Sequence, residues 1–480
     1  MDGCRWNPPA SNPMADAAPS IPTTTQRSTA AWPWFVTAAV ISVHALQIGT
    51  QSIGKPGFGV DFELLYTVSA LWGEHGNPYD DAALKEAWRA VGDPRLPEPG
   101  RPITPNVYPL TVAPLIRPLT YVPFAAAIVI WSGIILASEA WLMLYILRSA
   151  AAGPGCAVRR IPIALALTAL MLSYPVRLNL ASLNIGMVAA ALGIYAVQNG
   201  RRTWLAGAAF GLSLVKYSVT GPLGLLLMWR RQYRLLGVAL AVQAVLVCVA
   251  TWGGGYRHPL EWVGAMRAEV AYSLAPGAIN AHDAITGGPM HLGFRSLWNR
   301  IAPGYDRLHW VVVAGVLCLV GASVIRSARD VPRRRRYFDL PAAGLLAAGL
   351  LSFYHRAYDL IPVMILTSAW LVRPTISKGH RSVAEFAIWA ALIWTVIPGL
   401  WTGWDSSESG FWVRMFVQPA CAWCTLGFCV FLCLRSFRGD ADGDDADERG
   451  ERKLTVSARV AIPGPRPAGK PLGELVHGSS

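Results

Sequence analysis

The chain is written as a series of helix-length apolar runs separated by short basic loops, and that pattern limits its fold more than any single residue. The runs lie at approximately 32–52, 123–147, 161–176, 183–198, 204–217, 219–229, 235–252, 309–325, 337–353, 359–372, 383–401 and 411–434. In hydrocarbon every backbone polar group must be satisfied within the protein, which leaves helices and closed barrels as spanning structures. Only 15% of the residues are charged, against about 25% in a soluble protein. The reading is an all-α polytopic membrane protein with about 12 transmembrane helices. Several runs fall short of the roughly 20 residues a bilayer core requires. The pair 204–217 and 219–229 suits a single bent hairpin, with Gly221-Pro222 marking a broken helix.

The net charge of +13 raises nucleic acid as a partner, and the placement of that charge excludes it. With the N-terminus inside, the inner loops 148–160, 199–203, 230–234, 326–336 and 373–381 carry 17 Arg or Lys against one acid, Asp330. The two long loops, 53–107 and 253–308, carry 10 bases against 12 acids. This is the positive-inside signature. It predicts a multi-pass plasma-membrane protein with both termini cytoplasmic and both long loops extracytoplasmic. Residues 1–31 are expected to be a disordered tail with no cleavable signal peptide, 32–434 one membrane domain, and 435–480 a second disordered tail. Residues 105–122, apolar but broken by Pro109, Pro114 and Pro118, suit a re-entrant or interfacial stretch.

Of the eight cysteines, Cys421, Cys424, Cys429 and Cys433 share the last run and invite a metal reading. On a helix they spread over roughly half the circumference, so no face collects them. Small apolar packing accounts for them better, and no metal or other cofactor is implied. Trp72, Trp252, Trp262, Trp401 and Trp404 are read as interface-belt residues in preference to sugar-stacking ones.

What the membrane pattern leaves unexplained is a set of polar groups at the outer ends of the runs. Asp61 and Glu63 follow the first run. Arg177 and Asn179 lie between runs, with Ser182 and Asn184 close behind. Lys216 ends the fifth run, His355, Arg356 and Asp359 fill a short late loop, and Arg414 opens the last run. Taken singly, each arginine suits snorkelling to headgroups and each acid suits an ordinary loop. Together, bases on the outer side run against the orientation bias and point to an anionic headgroup or lipid-linked phosphate. Glu139, in the second run towards the cytoplasmic half, stands apart from them.

Gly59-Val60-Asp61-Phe62 through Tyr66, then Trp72-Gly73 and Asn77-Pro78-Tyr79, resembles the first outer loop of glycosyltransferase family 87, a group of GT-C-type membrane enzymes. Tyr108-Pro109 is similar to the start of that family's Tyr-Pro-Pro element, with Leu110 in place of the second proline. Leu205-Ala206-Gly207 through Gly211 to Lys216 resembles its Ala-Gly…Gly…Lys run, and His355 with Tyr358 and Pro362 its late loop. Where the family often has Gly-Gln-x-Asn, this chain reads Ala181-Ser182-Leu183-Asn184, keeping the Asn. Its Lys-x-x-Pro is relaxed to Lys216-Tyr217-Ser218-Val219. The resemblance spans roughly residues 32 to 434.

The resemblance implies a GT-C-type fold and a polyprenyl-phosphate-linked sugar donor, with mannose as the sugar. The acceptor would be a glycolipid or glycan presented at the extracytoplasmic face of the lipid bilayer. It implies Asp61 as general base for an inverting transfer. Tyr66, Tyr79, Tyr108, Arg177, Asn184, Lys216, His355 and Arg356 are then expected in substrate binding. Two alternatives stand beside it: a transporter or flippase of lipid-linked sugars, and a non-catalytic relative.

Overall fold

The computed structural model describes residues 24–52, 58–91, 106–151, 173–200, 202–273, 306–329, 339–352, 356–372 and 422–430, with Leu167, Leu170, Phe294 and Trp298 as single positions. All the regular elements among them are helices. The run 383–401, His355, Arg414, Trp401, Trp404 and both far tails lie outside the described residues.

Helix α1 (Thr24–Gln47) begins inside the stretch expected to be a disordered tail. The largest departure from expectation follows it. Residues 53–107 read as a loop because of their charges, yet they contain two helices, α2 (Val60–Gly73) and α3 (Asp81–Ala90). Ten of the 14 residues of α2 are buried, so the helix belongs to the core. Two early acids disguised an otherwise apolar Phe-x-Leu-Leu-Tyr-x-Val run. Phe62 stacks on Phe124 and Trp131, and Tyr66 meets Phe124 edge-on.

The Pro-broken stretch forms the expected irregular passage: a 3₁₀ turn at Leu110–Val112, one helical turn at Ala113–Ile116 and a second 3₁₀ segment at Arg117–Tyr121. It leads into α4 (Phe124–Ala151). Next come α5 (Tyr174–Ser182) and α6 (Gly186–Gln198), bent at 116° to one another. Arg177 and Asn179 therefore lie within a helix, where a loop between spans had been expected. Helix α7 (Thr203–Ser213) runs on through Leu214–Lys216 and Tyr217–Thr220. It then turns by 118° into α8 (Pro222–Trp229), as Gly221-Pro222 predicted.

Helix α9 (Tyr233–Gly253) packs along α7. A Cβ on Gly207 would lie 2.8 Å from the Leu235 carbonyl oxygen, and one on Gly211 2.9 Å from that of Ala239. The Gly-x-x-x-Gly spacing is what lets the two backbones approach. The described chain ends with α10 (Pro259–Ser273), α11 (Asp306–Arg329), α12 (Asp339–Ser352), α13 (Ile361–Val372) and a last fragment at 422–430.

Among the described residues, two helices are long and apolar enough to cross a bilayer, Phe124–Ala150 and Tyr233–Gly253, or up to four if each bent pair counts as one span. Several of the expected runs, such as 204–217 with 219–229, fold as short or broken helices, and others, such as 383–401, lie outside the described residues. Two of the expected belt tryptophans are also internal. Trp72 donates to the Ala250 carbonyl at 2.8 Å and Trp262 to the Thr251 hydroxyl at 3.0 Å, whereas Trp252 is exposed.

Candidate functional site

Asp61 reaches its position through Gly59. That residue has φ +73°, a left-handed conformation that glycine adopts without steric cost. Its N–H donates to the Ala181 carbonyl at 2.7 Å, tying the start of α2 to the end of α5. Asp61 follows in the first turn, buried to 8% exposure, and its Oδ2 accepts from the Asn184 amide at 2.7 Å. Among the described residues, Oδ1 makes no hydrogen bond.

Asn184 sits in the break between α5 and α6. Leu183 adopts φ 52°, ψ 44°, a left-handed conformation that costs a branched residue about 1–2 kcal/mol. The break is held by the Asn184 N–H on the Asn179 carbonyl (3.2 Å) and by the Trp131 indole on the Leu183 carbonyl (2.9 Å). The Asn184 side chain then uses all four of its hydrogen-bonding valences. Its Nδ2 donates to Asp61 and to the Tyr108 hydroxyl (2.9 Å), and its Oδ1 accepts from Lys216 Nζ (2.6 Å) and the Gly186 N–H (2.7 Å). The reversed amide would set donors against Lys216 and Gly186, so its neighbours fix the orientation. A Cβ on Gly186 would lie 2.9 Å from Asn184 Oδ1 and 3.1 Å from Lys216 Nζ. A side chain at residue 186 would therefore displace the hub.

Lys216 closes the 3₁₀ turn after α7 and is buried. Its ammonium pairs with Asp359 Oδ1 at 2.6 Å and lies 4.6 Å from the centre of the Tyr358 ring. With its hydrogen bond to Asn184, the ammonium thus lies among a carboxylate, an amide oxygen and a π face. Asp359 Oδ2 accepts from the Arg356 backbone N–H at 3.3 Å. Asp61, Asn184, Lys216 and Asp359 all lie where helices begin, end or break, and four separate chain segments meet at one point.

The remaining predicted residues divide. Tyr108 belongs to the cluster. Burial first, and then the Asp61 and Asp359 carboxylates, push its phenol well above the ordinary value, while Arg356 opposes the shift. Its hydroxyl accepts from Asn184 and keeps its own proton as a donor. Tyr79 supports Tyr108 from behind: its hydroxyl donates to the Tyr108 carbonyl at 2.9 Å, and burial raises its pKa too. The Asn77-Pro78-Tyr79 signature is a brace, with Asn77 Oδ1 accepting from the Tyr79 N–H (3.0 Å) and the Tyr256 hydroxyl (2.6 Å). Tyr66 is not part of the cluster, since its hydroxyl donates to the Val122 carbonyl at 2.9 Å. Arg177 is exposed on α5, and Arg356 is half-buried beside the pair it caps. His355 lies outside the described residues. Asp359 was grouped with the outer polar set and Tyr358 with the late-loop resemblance, but neither they nor Gly186 were expected in substrate binding. The signal for Asp359 was its acid three residues after Arg356, a capping spacing.

Among the described residues no group of three or more His, Cys, Asp or Glu side chains converges as a metal site. What converges is a carboxylate with one oxygen anchored and one open, facing a phenol donor and backed by a lysine–aspartate pair. The carboxylate, the phenol and the ion pair are all buried.

The model of glycosyltransferase family 87 matches residues 106–353, just over half of the chain. No curated protein and no solved structure matches it. The matched segment carries Tyr108, Asn184 and Lys216, while Asp61 and Asp359 lie on either side of it and fold onto it. The chain belongs to glycosyltransferase family 87, and is thereby a membrane glycosyltransferase.

Proposed function

We propose that the enzyme transfers a hexose, mannose first among them, from a polyprenyl-phosphate-linked donor to a hydroxyl of a glycolipid or glycan acceptor. In this reading Asp61 is the general base and the site opens on the extracytoplasmic face. The observation that carries it is the asymmetry of the Asp61 carboxylate, with Oδ2 held by Asn184 at 2.7 Å and Oδ1 unbonded among the described residues. A base positioned by one oxygen and free at the other is set to take a proton along a defined direction.

The acceptor oxygen attacks the anomeric carbon while its proton passes to Asp61 Oδ1. The carbon–oxygen bond to the phosphate breaks, and its electron pair leaves with the phosphate. A phosphate leaving group needs little protonation, so one base suffices, and attack from the opposite face inverts the anomeric centre. The leaving phosphate gains negative charge, and cationic groups and hydrogen-bond donors stabilise it. Lys216 already carries Asp359 as a counter-charge. The phosphate is assigned to Arg356, His355 and Arg177, the cationic groups nominated at the outer ends of the runs, with the Tyr108 hydroxyl as a neutral donor. Lys216 and Asn184 act by holding the base. The positive-inside pattern supports the extracytoplasmic placement.

The test is Asp61→Asn, which keeps the size of the side chain and its contact with Asn184. Transfer from radiolabelled lipid-linked mannose in membranes should fall by about 10²–10⁴-fold, with the amount of folded protein unchanged. Full transfer by this variant would overturn the assignment. So would movement of the lipid-linked sugar across the bilayer with no new glycosidic bond.

A further inference from the structure

The open side of the α7–α9 pair carries a feature that the transfer reaction does not use. A cavity of about 880 Å³ lies between the starts of the two helices. Arg202, immediately before α7, and Arg234, the second residue of α9, both line it. Below them Gly237, Val238 and Ala241 form its wall, and Trp204, 78% exposed, stands at its edge. We propose that this groove binds one anionic glycerophospholipid, with the phosphate between Arg202 and Arg234 and an acyl chain along Gly237 and Ala241.

The position along the membrane normal comes from α9. Tyr233–Gly253 is one of the two helices long and apolar enough to span the bilayer. Arg234 in its first turn therefore stands where hydrocarbon gives way to headgroups. Because Gly207 packs against Leu235 and Val238, α7 is held beside α9, and Arg202 comes to the same level. An exposed tryptophan at that depth matches the amphipathic interface.

The charge of the occupant comes from the lining. It contains two arginines and no acid, and neither guanidinium has a partner among the described residues. Guanidinium groups bind phosphate through paired N–H donors, and two of them complement one phosphodiester. A choline headgroup would bring a further cation beside the two guanidinium groups, whereas a neutral or anionic headgroup would not. The apolar tail is accommodated because the wall is low. A Cβ on Gly237 would meet nothing within 4 Å, so that position faces open space. Lys216 lies 14 residues beyond Arg202, roughly 20 Å away at 1.5 Å per helical residue, so the groove is separate from the Asp61 cluster.

Native mass spectrometry of the full chain in neutral detergent, with equimolar phosphatidylglycerol and phosphatidylcholine, tests this directly. The wild type should retain one phosphatidylglycerol with about tenfold preference, and Arg202→Ala with Arg234→Ala should abolish that preference. Arg202→Lys with Arg234→Lys should keep part of it, because charge survives without the paired geometry. Gly237→Leu alters no charge and should displace the lipid by filling the chain's path, so it decides the question even if the alanine pair fails to fold. Equal retention of phosphatidylcholine, wild-type retention in the Gly237→Leu protein, or full displacement by inorganic phosphate would each overturn the proposal.

Discussion

Two buried polar centres in this protein are built in opposite ways. The Asp61 cluster lies at helix ends, and its hub Asn184 has every valence used. The second centre is a single pair between helices that run on past it, with His44 in the last turn of α1, which continues into a π-helical segment at Ile48–Ser52, and Glu139 midway along α4. His44 on α1 meets Glu139 on α4 at 2.6 Å, with both side chains at 0% exposure. Its outward atoms, His44 Nε2 and Glu139 Oε2, have no hydrogen-bond partner among the described residues. A helix end supplies backbone groups and a change of direction, so several segments can converge there. Where two helices run on side by side, each supplies only the side chain it carries. The first arrangement anchors one Asp61 oxygen and leaves the other without a hydrogen bond among the described residues. The second fastens one helix to another and exposes nothing that could meet a substrate.

The contrast breaks most sharply at Asn184. Asn184→Asp sets a carboxylate against Asp61 and removes the donor that anchors it, while keeping the side chain's shape. Sugar transfer should fall by at least ~10²-fold, the usual contribution of a positioned base, as measured by product formation per folded enzyme. Near-normal transfer would mean that Asp61 does not depend on its anchor. Next in size is Lys216→Met, which removes the cation paired with Asp359. Loss of one partner of a buried pair costs about 3–5 kcal/mol. Thermal unfolding should show that loss, and the double change Lys216→Met with Asp359→Leu should recover most of the stability but not the transfer.

The sequence made the helical membrane character legible, because periodic apolar runs and loop charge are one-dimensional signals. The break at Gly221-Pro222 and the irregular stretch after Tyr108 were legible for the same reason, since proline and glycine act locally. Asp61, Asn184 and Lys216 could be nominated from motifs. Their junction could not, because it depends on a 116° bend at Leu183, a residue with no sequence mark for a left-handed conformation. Helix α2 was hidden by its own acids: Asp61 and Glu63 in its first turn made a core helix look like a loop. His44 escaped notice because a lone histidine in an apolar run carries no signal until Glu139, 95 residues on, is placed against it.

The pair at His44 supplies the next test. Glu139→Gln keeps a hydrogen bond to the imidazole while removing the carboxylate, so thermal stability should fall by about 1–3 kcal/mol and transfer per folded enzyme by less than about tenfold. A loss of transfer as deep as that of Asn184→Asp, at equal folded protein, would erase the distinction between fastening and chemistry.

The smallest expected effect concerns the two tyrosines that back the cluster. Tyr108 and Tyr79 both have phenols raised above the ordinary value of 10.0, chiefly by burial. For a group whose folded pKa is raised, the folded state holds its proton more tightly than the unfolded chain. The stability linked to that proton is complete below the unfolded value and is lost as pH rises through the window between the two. These residues should therefore leave unfolding stability flat from neutral pH to about pH 9 and pull it down above about pH 10, by at most about 1.4 kcal/mol per pH unit for each phenol. Thermal melts of the wild type and Tyr108→Phe across pH 7–11 measure the difference. The variant should lose stability less steeply above pH 10, and below it should pay only for the acceptor that Asn184 Nδ2 no longer has, about 1–2 kcal/mol. Identical alkaline slopes in the two proteins would show that the Tyr108 hydroxyl is not held protonated by its surroundings, and would remove it from the set of donors facing Asp61.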